Sequence, residues 1–77
     1  MKKKARFVMA KYCVNTNAQD NGDHEVHKYT CEWLPIEENR KYLGVFDNCH
    51  DAVQEAKKTY PTTADGCKHC SPECHTR

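Results

Sequence analysis

The sequence predicts an α+β domain: a small three-stranded antiparallel-type β-sheet, one main helix and a C-terminal cysteine knuckle. Three observations predict it. Three short stretches rich in β-branched and aromatic residues come first. One stretch with helical apolar spacing and a capping residue follows. Six cysteines and five histidines then accompany only ten Ile, Leu, Val and Phe residues in a chain of 77.

The first strand is expected over residues 6–14 (RFVMAKYCV). Residues 15–23 (NTNAQDNGD) are dominated by Asn, Asp and Gly, so they read as a loop with its turn at Asn21-Gly22. Residues 26–33 (VHKYTCEW) alternate loosely and predict a second strand, stopped before Pro35, which cannot donate to a ladder. A polar turn at residues 37–40 leads to a third strand over residues 41–46 (KYLGVF).

Asp47 or Asn48 is placed to cap a helix over residues 49–60. Its apolar stripe is Cys49, Ala52, Val53, Ala56 and Tyr60. Lys57 and Lys58 complement the dipole in its last turn, and Pro61 ends it. Residues 62–66 form a loop that delivers Cys67. Ser71-Pro72-Glu73 resembles a cap, a first-turn proline and an early acid, so one short turn should carry Cys74 and His75.

The whole chain, residues 1–77, is one domain by length, with a basic tail at residues 1–6. So thin an aliphatic core rarely holds a small domain alone. The formal net charge of +1 and seven aromatic residues argue against disorder. No stretch is long enough for a transmembrane helix, a coiled coil or a repeat array, and a large catalytic scaffold is excluded. Four of the twelve basic residues lie in the tail; the other eight meet eleven acids, which leaves the body at −3. Such a body is a poor general nucleic-acid surface, although the tail can touch phosphates.

The apolar run after the basic start is only Phe7, Val8, Met9 and Ala10, too short for a secretory signal. The expectation is therefore a cytoplasmic protein, whose clustered thiols stay reduced and bind metal. The sharpest pattern is His27-x-x-x-Cys31 with Cys67-x-x-Cys70. Zinc takes four N or S ligands in a tetrahedron, and a two-residue gap lets both sulfurs of a knuckle reach one ion. A four-residue step would set His27 and Cys31 on one side of a strand. One zinc ion held by His27, Cys31, Cys67 and Cys70 would join the sheet to the chain's end, with about 10 kcal/mol or more of binding free energy available.

Alternatives stand beside these ligands. His24 or Cys74 can substitute for His27, and Cys13 and Cys49 are expected to be non-ligands, small buried thiols on a strand and a helix. Cys67-Lys68-His69-Cys70 is also a dithiol motif, but no βαβ context accompanies it. Cys70-x-x-x-Cys74-His75 is one residue too long for haem attachment. A faint calcium loop over residues 17–28 lacks carboxylates at its ends. No catalytic grouping and no small-molecule substrate emerges.

His27-x-x-x-Cys31, NRKYLGVF, CHDAVQEAKKTYP and Cys67-x-x-Cys70-Ser-Pro together resemble the Ada-type zinc domain. That is the module at the N-terminus of the Ada DNA-alkylation repair protein and in related metal-binding modules. The resemblance spans residues 26–72 and implies a short sheet with a helix packed on it and one zinc. The whole chain also resembles a group of small bacterial proteins with no known activity. Where the family's first cysteine accepts a methyl group, this chain has His27. Methyl transfer needs a thiolate, so the resemblance implies the zinc but not that reaction. The expected function is a stand-alone structural-zinc module without enzymatic activity, acting through a protein or nucleic-acid partner and not at a membrane. The alternatives are a thiol-based redox or alkyl-accepting protein using Cys67, Cys70 or Cys74, and a disulfide-stapled extracellular domain.

Overall fold

The computed structural model describes residues 9–77. The basic tail and the first residues of the predicted opening strand lie outside the described residues. The elements run β1 (Ala10–Asn15), β2 (His24–Lys28), β3 (Arg40–Phe46), α1 (Cys49–Ala56) and β4 (Ala64–Gly66). Single 3-10 turns occupy Glu37–Asn39 and Pro72–Cys74.

The chain is α+β, but its sheet has four strands in the order β3-β1-β2-β4. The expected antiparallel trio is β3-β1-β2. β4 extends it in parallel with β2, pairing His24 with Ala64 and Val26 with Gly66. Residues 62–66 are therefore not simply a loop. A three-residue strand of small side chains has no periodicity to betray it; only its neighbour defines it.

β2 also differs from expectation. It starts at His24 and ends at Lys28, because the chain turns there and the Cys31 amide donates back to the Lys28 carbonyl (3.1 Å). The first loop turns as read: Gly22 has φ +89°, a region favouring glycine, and its amide donates to Gln19 O (2.8 Å). A β-bulge interrupts β1–β3 pairing between Tyr12 and Cys13. Gly44, opposite Tyr12, takes φ +125° there.

The helix starts where its cap predicts. Asn48 Oδ1 accepts from the Asp51 amide at 2.8 Å. It is shorter than the expected span because the amides of Lys58 and Thr59 bond back three residues, to Glu55 O and Ala56 O. Such bonds tighten the end into a turn ahead of Pro61. Cys49, Ala52, Val53 and Ala56 are buried as the stripe requires.

Alternation along the strands gives the sheet two different faces. Tyr12, Val14, Val26, Leu43 and Ala64 pack with Cys49, Ala52, Val53, Ala56 and Cys74 of the helical side. Cys13 and its register partner His27 lie on the other face, outside that core. Cys49 and Cys74 form a disulfide within the helical-side core. The expected free thiol at Cys49 and the ligand alternative at Cys74 are corrected by this bond: the helix start and the C-terminal turn meet there. The terminus is held further by Arg77, whose Nη1 lies 2.6 Å from the buried Asp23 carboxylate. Among the described residues, no helix is long and apolar enough to cross a membrane.

Candidate metal centre

His27, Cys31, Cys67 and Cys70 converge on the face away from the helix. One ligand atom from each lies within 4.8 Å of all the others. This group can hold a metal ion, and it is the set the spacing singled out.

Different local devices deliver the four. His27 projects from β2 and is 1% exposed. Cys67 follows β4, continuing its ladder with an amide bond to Val26 O (3.0 Å). The chain then turns, with Ser71 N donating to Cys67 O (2.8 Å), and this returns Cys70 to the cluster. Cys31 does not share a strand face with His27 as the spacing suggested. It comes back through the turn after Lys28.

That turn copies the knuckle. Trp33 N donates to Cys31 Sγ and His69 N donates to Cys67 Sγ, both at 3.4 Å and both from two residues downstream. The two downstream residues then stack: the Trp33 and His69 rings are 5.1 Å apart at 25°. The sequence showed only one C-x-x-C, so the second half-site was misread as strand. Cys70 Sγ accepts from Lys28 N (3.3 Å) and lies 3.6 Å from Ser71 Oγ, so each sulfur has a polar neighbour that favours a thiolate.

The ring of His27 is oriented from behind. Its Nε2 lies 3.4 Å from the Glu25 carboxylate, while Nδ1 is buried and has no hydrogen-bond partner. A buried imidazole nitrogen without a partner costs free energy unless something coordinates it. A carboxylate behind the far nitrogen is how metal-ligating histidines are commonly held.

Electrostatics divides the three thiols. Burial pushes Cys31 up to about 12, and the adjacent Cys70 and Cys67 sulfurs add to this, against the Trp33 amide. Burial likewise raises Cys67, against the amides of Cys70 and His69. Burial opposes ionisation of Cys70 too, but the His27 ring, the Lys28 amide and Ser71 outweigh it and bring it down to about 6. Three crowded sulfurs resist becoming three thiolates together. A divalent cation removes that resistance.

The other candidates lie elsewhere. His24 Nδ1 contacts Asn15 O (2.9 Å), and its ring stacks on Tyr60 with centroids 3.7 Å apart. His75 Nδ1 contacts Gly66 O (3.0 Å) and Asp65 (3.2 Å). Cys13 is fully buried outside the ligand group, and burial pushes it up to about 11 despite nearby Arg40.

No family model, curated protein or solved structure matches this chain. The likeness to the Ada-type zinc domain rests on the quoted motifs alone.

Proposed function

We propose that the chain is a structural-zinc module, with one zinc bound by His27 Nδ1, Cys31, Cys67 and Cys70, and that it acts as an interaction domain without catalysis. The observation that carries this reading is the convergence of one His27 ring nitrogen and three cysteine sulfurs within 4.8 Å of one another, with Nδ1 of that ring buried and without a hydrogen-bond partner. One nitrogen and three sulfurs suit zinc, and four protein donors fill a tetrahedron, which suits a structural ion. The Ada-type resemblance points the same way.

An interaction role draws on the surface around the centre. Trp33 is 63% exposed and stacks on His69. An open hollow of about 430 Å³ adjoins them, bordered also by Lys68 and Arg77. Exposed tryptophan with adjacent cations is the composition of protein and single-stranded nucleic-acid contacts alike. The cluster of free thiols favours a reducing compartment such as the cytoplasm, while the Cys49–Cys74 bond lies within the helical-side core.

The Cys31 and Cys67 sulfurs, 3.9 Å apart, support a second reading in which the metal-free protein does dithiol chemistry. Mass spectrometry separates these readings. Zinc module: one zinc in native spectra, chelation unfolds the chain, and Trp33 emission shifts as the knuckle opens. A metal-free chain that stays folded would overturn the proposal. A disulfide-stapled extracellular domain would instead show no metal and further lost hydrogens.

A further inference from the structure

The face opposite the proposed zinc centre carries a second group of ligand-type side chains. Cys49 is the first residue of α1 and points inward, while His50 beside it is exposed. Consecutive helical residues diverge by about 100° around the axis, so the pair brackets the helix start from inside and outside. Cys74 reaches the same point from the Pro72–Cys74 turn. The two sulfurs and a His50 ring nitrogen all lie within 4.8 Å of one another. His50, Glu73 and Cys74 border a cavity of about 250 Å³.

In the oxidised chain the sulfurs are bonded to each other and their lone pairs are poor ligands. Reduction changes this. A thiol reductant passes two electrons and two protons to the Cys49–Cys74 bond: the S–S bond breaks, two S–H groups form, and the reductant leaves as its own disulfide. The freed sulfurs must part. Two thiolates on one tetrahedral zinc stand roughly 3.8 Å apart, given a Zn–S distance of about 2.3 Å. The Cα separation of 6.2 Å spans such a pair through side-chain rotation. His50 then supplies the nitrogen, and the cavity admits water or Glu73 as the fourth ligand. Lys57 and Arg77 also border the cavity, but Arg77 is matched by Asp23.

We infer that the reduced protein binds a second soft or borderline divalent metal ion through Cys49, His50 and Cys74, and that the disulfide closes this site. Metal entry displaces the two thiol protons to solvent. The site is thus a redox-gated metal site in the helical-side core, on the other face of the sheet from the first centre.

The test is ion stoichiometry in two redox states. The full chain, oxidised or reduced with a phosphine, is titrated with zinc and with cobalt(II). Native mass spectra count ions, and cobalt–thiolate absorption reports sulfur ligation. Reduction should add one ion per chain. His50→Ala is a surface change; it should weaken this added ion at least tenfold and leave the oxidised count unchanged. An equal count before and after reduction overturns the inference, whatever the oxidised protein holds. So does an added ion that His50→Ala leaves intact, or one that circular dichroism shows on an unfolded chain. An oxidised count of zero bears only on the four-ligand centre.

Discussion

The Glu25 carboxylate sits 3.4 Å from Nε2 of His27, and the opposite ring nitrogen is the one buried without a partner. The pair spans two alternate positions on β2, so both project from the same face of the strand. A ring proton held on Nε2 by Glu25 would leave Nδ1 as the ligand. Replacing a carboxylate in this position typically costs 10–100-fold in metal affinity. Glu25→Ala should show that loss in a zinc competition titration, and Glu25→Gln should recover part of it through its amide oxygen. Unchanged affinity in Glu25→Ala would mean that His27 is not oriented for metal.

His27 and Cys74, two of the three residues that competed for the fourth ligand position, predict opposite phenotypes. His27→Ala removes the only nitrogen in the cluster and should abolish tight zinc binding. Cys74→Ala should keep zinc but lose the disulfide. Its 25-residue separation from Cys49 corresponds to roughly 3.5 kcal/mol in the chain-entropy treatment. Denaturant unfolding with zinc counted in parallel checks both. Lost zinc in Cys74→Ala would reverse the assignment.

Gly66 is fixed by close approach. A Cβ there would fall 2.6 Å from Cys74 Cβ and 2.8 Å from its carbonyl carbon. Backbone cannot yield as a flexible side-chain tip does. Gly66→Ala must displace either β4 or the Pro72–Cys74 turn, at a cost of about 1–3 kcal/mol. Because Cys67 follows directly, zinc affinity should fall as well. A variant as stable as the parent, with equal affinity, would show that the turn does not pack on β4 in this way.

Residues with purely local causes were legible. Asn48 capped the helix, Pro61 followed its end, Gly22 made the turn, and Cys67-x-x-Cys70 stood out by spacing. Features set by distant partners were not. β4 exists because Val26 pairs with Gly66, and nothing in Ala-Asp-Gly announces a strand. Cys31 was read as a strand residue because VHKYTCEW alternates; the turn after Lys28 and the Trp33 amide override that pattern. The Cys49–Cys74 bond needs the helix start and the last turn to meet across the core, which no spacing encodes. Spacing alone thus singles out the four residues that converge, with the wrong local geometry for one of them.

Cys13 gives a pH prediction with a defined sign. It lies fully buried, in register with His27, and its thiol is pushed up to about 11 chiefly by burial. A thiol whose folded value is raised keeps its proton more tightly in the native state than in the unfolded one. Its contribution to stability is complete below the unfolded value, near 8.5, and is lost as pH rises through about 11. Tyr12 and Tyr29 are raised too, both mainly by burial, and steepen the loss at the alkaline end. The contrast with Cys13→Ala isolates the thiol. That variant loses about 1 kcal/mol of packing at neutral pH, a cost independent of pH. Its deficit against the parent should shrink, and can reverse, between pH 9 and 11, since about 2–3 kcal/mol of the parent's stability drains away there. Urea unfolding of the zinc-bound protein at pH 8 and pH 10.5 measures it. Parallel profiles for parent and variant would mean that Cys13 is not the buried thiol that titrates.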